Sequence, residues 1–159
     1  TDWEVELGLV IGKPCYQVSQ DDALSYVSGY FTANDVSERT YQKHRSGQWV
    51  KGKSSPTFAP IGPYLVTADE VDDPQNLSLK TTINGKVMQS SNTDDMIFNL
   101  KKIISTLSEY MVLRTGDIIV TGTPEGVGAG IKPNPRFLRI GDTIEVEVES
   151  LGAQSMKAV

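Results

Sequence analysis

Trp3-Glu4-Val5-Glu6-Leu7-Gly8-Leu9-Val10-Ile11 is an apolar, β-branched run with two carboxylates set into it, closed by Gly12-Lys13-Pro14. It reads as a strand. Side chains at i and i+2 of a strand share a face, about 7 Å apart along the backbone, so Glu4 and Glu6 point the same way. Two carboxylates on one face repel each other and must be neutralised if that face is buried. A hard divalent cation does this, because Mg²⁺ and Ca²⁺ take carboxylate oxygens. The plainer alternative is an amphipathic strand with that face in water, and spacing alone favours it.

Working outward, Ser19, Asp21 and Asp22 open an expected short helix over Ala23, Leu24 and Val27, closed by Gly29. Tyr30 to Val36 reads as a second strand and Ser37 to Arg45 as a polar, partly helical segment. Gly47 to Pro63, rich in Gly, Ser and Pro, reads as a long ordered loop of the kind that carries function. Leu77 to Ile83 alternates, and Asn84-Gly85 before Lys86 to Gln89 predicts a type I′ hairpin. Leu100, Ile103, Ile104, Leu107 and Met111 follow helical spacing after Asn99, with Gly116 as the stop. Asp117 to Val120 is a buried-looking strand. Thr143 to Val148 alternates as a half-exposed one. There is no internal repeat and no low-complexity segment. Strands dominate, so the expectation is a β-rich α+β roll, barrel-like, with peripheral helices.

The 159 residues suit one domain with one core. With 15 Lys and Arg against 20 Asp and Glu, the net charge of −5 argues against a nucleic-acid partner. One Cys and one His exclude an internal disulfide and any site needing two imidazoles, and fit a reducing, cytoplasmic setting. No apolar run approaches the ~18 residues of a membrane helix. Thr1 to Leu7 carries Asp2, Glu4 and Glu6 where a signal peptide would be basic, so none is expected.

Asp35 ends the second predicted strand and offers a third carboxylate, or an Asx turn or helix cap instead. Lys53, in the ordered loop, places an ammonium where an enolate or polarised carbonyl would need one, unless it is a solvated loop lysine like Lys51. Gly122-Thr123-Pro124 follows a strand and presents N–H groups and a hydroxyl to an anion, or is simply a glycine-rich turn. It lacks the Gly-Lys-Ser/Thr ending of a nucleotide loop. His44, among Gln42, Lys43 and Arg45, reads as surface, and Cys15 beside Pro14 as an ordinary thiol.

Taken in order, Asp2-Trp3-Glu4-Val5-Glu6-Leu7, Asn34-Asp35-Val36-Ser37-Glu38-Arg39, Gly52-Lys53-Ser54, Gln89-Ser90-Ser91-Asn92-Thr93, Met96-Ile97-Phe98, Gly116-Asp117 and Thr121-Gly122-Thr123-Pro124-Glu125-Gly126-Val127-Gly128 span the chain. This succession resembles the fumarylacetoacetate hydrolase family. Gly47 to Ser54 and Pro60-Ile61-Gly62-Pro63 look most like its bacterial branch acting on sugar-acid-derived 2,4-dioxo acids in catabolism. The resemblance implies the family's mixed β-roll catalytic domain over residues 1–159, as a homodimer or higher homo-oligomer. It implies Mg²⁺ (or Mn²⁺ or Ca²⁺) held by Glu4, Glu6 and Asp35. Substrate contacts would come from Arg39, Gln42, Lys53, Gly122 and Thr123, with Lys53 and Thr123 as the catalytic pair.

The implied reaction is metal-dependent hydrolysis of a C–C bond in a small oxo acid, leaving an enolate. Isomerase, decarboxylase and lyase chemistry share that site, and a non-catalytic metal-binding fragment is the further alternative. Relatives usually begin earlier, and in several the general base lies on that earlier segment. The chain therefore reads as a catalytic body without its N-terminal lid. Pro56 and Thr40 stand where the family commonly has Asp.

Overall fold

A computed structural model describes residues 1–159. Eight strands form: β1 (Val5–Ile11), β2 (Val27–Asn34), β3 (Val66–Thr67), β4 (Ser78–Ile83), β5 (Lys86–Asn92), β6 (Ile118–Val120), β7 (Thr143–Val148) and β8 (Gly152–Lys157). Three α-helices join them: α1 (Arg39–His44), α2 (Val50–Lys53) and α3 (Leu100–Tyr110). The strands make two four-stranded sheets, ordered β3-β2-β1-β6 and β5-β4-β7-β8. Neighbouring strands pair antiparallel throughout. The β-rich expectation with peripheral helices holds.

β1 and β2 pack over β4, β7 and β8. The odd-numbered side chains Trp3, Val5, Leu7, Leu9 and Ile11 are each 0% exposed and meet Ile83, Val146, Val148 and Leu151 between the sheets. Each such side chain contributes roughly 1.5–3 kcal/mol by leaving water. The even face of β1 is covered as well. A Cβ on Gly8 would lie 2.0 Å from the Phe31 ring, so glycine is what lets Phe31 close over that face. β1 is thus buried on both faces, which explains its near-continuous apolar run.

Four local expectations are corrected. The strand expected to be buried over Asp117 to Val120 is β6, in which Ile119 alone is buried and Ile118 and Val120 are exposed. The segment after Ser19 forms only a 3₁₀ turn over Ala23–Tyr26, and Val27 already starts β2. Pairing along β1 overrides the short helical pattern there. Gly29 marks a close strand approach and no helix end, since a Cβ would meet the Val66 carbonyl at 2.4 Å. The expected helix after Asn99 ends at Tyr110, before Met111 and well before Gly116. The chain is drawn off into a bridge in which Leu113 and Cys15 exchange both backbone hydrogen bonds, at 3.0 and 2.9 Å. The loop from Gly47 to Pro63 contains α2, which places Lys53 at its last turn. The Asn84-Gly85 turn forms as expected, with φ of 50° and 77°.

Candidate metal centre

Register brings the carboxylates together. Val5 stands opposite Asn34, so Glu4 stands opposite Asp35, whose N–H donates to the Glu4 carbonyl at 2.9 Å. The Glu4 N–H is held by Asn34 Oδ1 at 2.9 Å. On the other flank the chain beyond β6 continues along β1, and the Gly122 N–H donates to Glu6 Oε2 at 2.7 Å. One oxygen from each of Glu4, Glu6 and Asp35 lies within 4.8 Å of the others. Glu4 and Glu6 are buried and Asp35 is half-buried. Opposed like charges on adjacent strands are destabilising, so this face needs positive charge.

Two cations supply part of it. Lys53 Nζ sits 2.7 Å from Glu4 Oε2 and 2.5 Å from Asp35 Oδ2. Arg39 Nη2 reaches Glu4 Oε1 at 2.7 Å and Asp2 Oδ2 at 2.9 Å. Four carboxylates (Asp2, Glu4, Glu6 and Asp35) thus face two cations, which leaves two negative charges unmatched when all are ionised. Glu6 has no side-chain cation in contact. Burial pushes its carboxyl up to about 8; the Gly122 N–H opposes the rise, and the charges of Asp35 and Glu4 add to it. An all-oxygen donor set, with no thiol or imidazole and, once Glu6 gives up its proton, an excess of two negative charges, fits a hard divalent cation better than zinc.

The remaining expected residues gather around this face. A cavity of about 620 Å³ is lined by Glu4, Glu6, Asp35, Arg39, Gln42, Lys53, Gly122 and Thr123, with exposed Trp49 also on its wall. Gln42 is buried, and its Oε1 accepts from Arg39 Nη1 at 3.0 Å. The Thr123 hydroxyl donates to the Val5 carbonyl at 2.9 Å and accepts from Gln89 Nε2 at 2.8 Å. Gln89 Oε1 in turn accepts from the Val5 N–H at 3.1 Å, closing a ring that locks the loop to β1 between Glu4 and Glu6.

His44 is exposed and lies outside the cavity lining, while Cys15 is buried with no cation beside it. Thr40 and Pro56 are exposed and leave the carboxylate face undisturbed. A larger groove of about 1110 Å³ runs between α3 and β6 and holds none of the three carboxylates.

The sequence assigns no site role to Asp2 or Gln89. Asp2 is 0% exposed and Gln89 1% exposed. Gln89 sits beside a bulge, where Thr81 pairs with Gln89 but Thr82 pairs with Val87. Bulges re-aim side chains, and nothing in local spacing announces one.

Comparison with known proteins gives consistent findings. Residues 1–158 match the family described as Fumarylacetoacetate (FAA) hydrolase C-terminal. The 2,4-didehydro-3-deoxy-L-rhamnonate hydrolase of Sphingomonas sp. (strain SKA58) is 56% identical over 153 residues, covering 96% of this chain and 54% of that enzyme. Among solved structures, the fumarylacetoacetate hydrolase of Exiguobacterium antarcticum superposes with a TM-score of 0.94 at 39% identity, covering 99% of this chain and 56% of the other. The 2-hydroxyhepta-2,4-diene-1,7-dioate isomerase of Mycobacterium marinum superposes with a TM-score of 0.88 at 41% identity, covering 99% and 58%. The chain therefore spans just over half the length of these relatives.

Proposed function

This chain belongs to the fumarylacetoacetate hydrolase family, and from that premise we propose that it forms the catalytic body of a metal-dependent hydrolase cleaving a C–C bond in a 2,4-dioxo acid. The substrate class we infer is a sugar-acid-derived dioxo acid, following the relative that is 56% identical. The observation that carries the reading is the buried convergence of Glu4, Glu6 and Asp35 beside Lys53 and Arg39.

Glu4, Glu6 and Asp35 would hold Mg²⁺, or Mn²⁺ or Ca²⁺ in its place. When bound, such a cation supplies Lewis-acid polarisation of the oxygens it touches. Arg39 and Gln42 bind and orient the carboxylate end of the acid from the cavity wall. In the reaction, water adds to the C4 carbonyl and the C3–C4 bond breaks, its electron pair passing to C3. The products are a carboxylic acid and the enolate of a 2-oxo acid, which takes a proton at C3. The Lys53 ammonium, held at the cavity wall beside Glu4 and Asp35, would neutralise the developing enolate. The Gly122 N–H is spent on Glu6 and the Thr123 hydroxyl on Val5, so the Thr123 backbone N–H, without an acceptor in the chain, is the donor left for an oxyanion.

Protein supplied with Mg²⁺ should release a 2-oxo acid from at least one member of a 2,4-dioxo acid panel that includes 2,4-didehydro-3-deoxy-L-rhamnonate. No turnover, or equal rates in EDTA, would overturn the reading. Isomerase chemistry is the second reading, favoured by the 41% identity to a solved isomerase. It would give a product of unchanged carbon count, without uptake of water. A homodimeric state fits the exposed Ile97, Phe98, Tyr110, Ile118 and Val120 around the larger groove, and light scattering reads it directly.

A further inference from the structure

Asp2 is a fully buried carboxylate with no place in the cavity lining. Burying a charge is costly unless it is paired and hydrogen-bonded. Here the pairing is complete. Oδ1 accepts the Trp3 N–H at 2.9 Å and the Gly128 N–H at 2.7 Å. Oδ2 accepts the Ala129 N–H at 2.9 Å and Arg39 Nε at 2.9 Å, and pairs with Arg39 Nη2 at 2.9 Å. Five donors from three segments converge on it, so it has no acceptor to spare for a ligand.

The arginine shows what the arrangement does. Its Nε and one Nη2 hydrogen are engaged by Asp2, the other Nη2 hydrogen by Glu4, and one Nη1 hydrogen by Gln42. Of five guanidinium hydrogens, one on Nη1 is left, on a group that faces the cavity. Without Asp2, the carboxylate left to Arg39 is Glu4, and the guanidinium would be drawn onto the metal face. The same Asp2 oxygens pin Gly128 and Ala129, and Ala129 also lines the cavity. Gly128 must be glycine for this, since a Cβ would lie 2.8 Å from Asp2 Oδ1 and 1.8 Å from the Arg136 carbonyl.

We propose that Asp2 is a positioning residue: it holds Arg39 turned toward the ligand and ties that orientation to the Gly128–Ala129 wall. The proposal rests on the metal-centre reading above, and its test separates the two. Mn²⁺ binding is measured first, followed by binding of oxalate, a planar stand-in for the oxo-acid end, to the Mn²⁺-loaded protein. Asp2→Asn keeps the shape and removes the charge.

The expected result is a tenfold or greater loss of oxalate affinity, with Mn²⁺ affinity held within about threefold. With a turned-over substrate, KM rises and kcat stays within a few-fold, the signature of lost uniform binding. A merely structural role would lower thermal stability and leave oxalate affinity of the folded fraction unchanged, which overturns the proposal alone. Wild-type protein that binds neither Mn²⁺ nor oxalate overturns the metal-centre reading and the proposal with it. Should Asp2→Asn fail to fold, the Arg39 Nε–H of the wild type carries the test. It should exchange slowly with solvent by NMR, and exchange at the rate of exposed arginines would refute the assignment.

Discussion

The tripeptide Glu-Val-Glu occurs at 4–6 and, in two overlapping copies, at 145–147 and 147–149; those at 4–6 and 145–147 have opposite outcomes. Both valines are 0% exposed and enter the same core from facing sheets. In β7 the flanking glutamates stand in water, and Glu147 pairs with Lys80 at 3.0 Å across the strand. In the first copy the glutamates are buried against Asp35, with Lys53 from α2 on Glu4 and the Gly122 N–H on Glu6. The second sheet has one wet face, and its alternation is the ordinary antiparallel pattern. In the first sheet β1 is covered on both faces, so the same residues become a concentrated charge that needs a cation. Burial, more than residue type, separates a surface from a site.

The largest effect should come from making the two copies differ by one atom type. Glu6→Gln should weaken Mn²⁺ binding by at least about 100-fold by calorimetry. Glu145→Gln should leave it unchanged and move stability by less than about 0.5 kcal/mol. Equal responses would abolish the distinction between the two faces.

Acidity should separate them next. The folded Glu6 carboxyl sits at about 8, raised above its ordinary 4.5. Its proton must leave for a cation to bind, so apparent Mn²⁺ affinity should fall as pH drops below about 8, approaching tenfold per unit. Without metal the sign reverses for stability. The folded state binds this proton more tightly than the unfolded chain, so its stabilising contribution is complete below about 4.5 and lost as pH rises through 8. Thermal scans of metal-free protein should show that decline, and Glu6→Gln should flatten it.

The shared valine face gives a contrast in the other direction. Val146→Ala should cost about 1.5–3 kcal/mol in denaturant unfolding, while Mn²⁺ affinity of the folded protein stays the same. Lys80→Ala should have the smallest effect, under about 1 kcal/mol and fading with salt, because its ion pair is exposed. A larger loss would mean that the outer face of the second sheet is covered by something in the intact protein.

Much of the fold is legible in the sequence. The hairpin at Asn84-Gly85 follows from two residues that tolerate positive φ. α3 follows from its apolar spacing and from Asn99, whose side chain accepts the Lys102 N–H at 2.8 Å. The residues expected around the site from family resemblance also line one cavity. What local pattern misread was the stretch from Ser19 to Gly29. Its helix signals were real, since Ser19 Oγ does accept the Asp22 N–H at 3.2 Å, but strand pairing from Val27 outweighed them.

The chain by itself determined a β-rich domain, its tight turns and its strand faces, because those depend on residues a few positions apart. Tertiary structure alone decided which Glu-Val-Glu is buried, that Asp35 stands opposite Glu4, and that Asp2 and Gln89 grip loops more than thirty residues away. Charge becomes chemistry here through long-range register and loss of water, and neither is a property of neighbours in sequence.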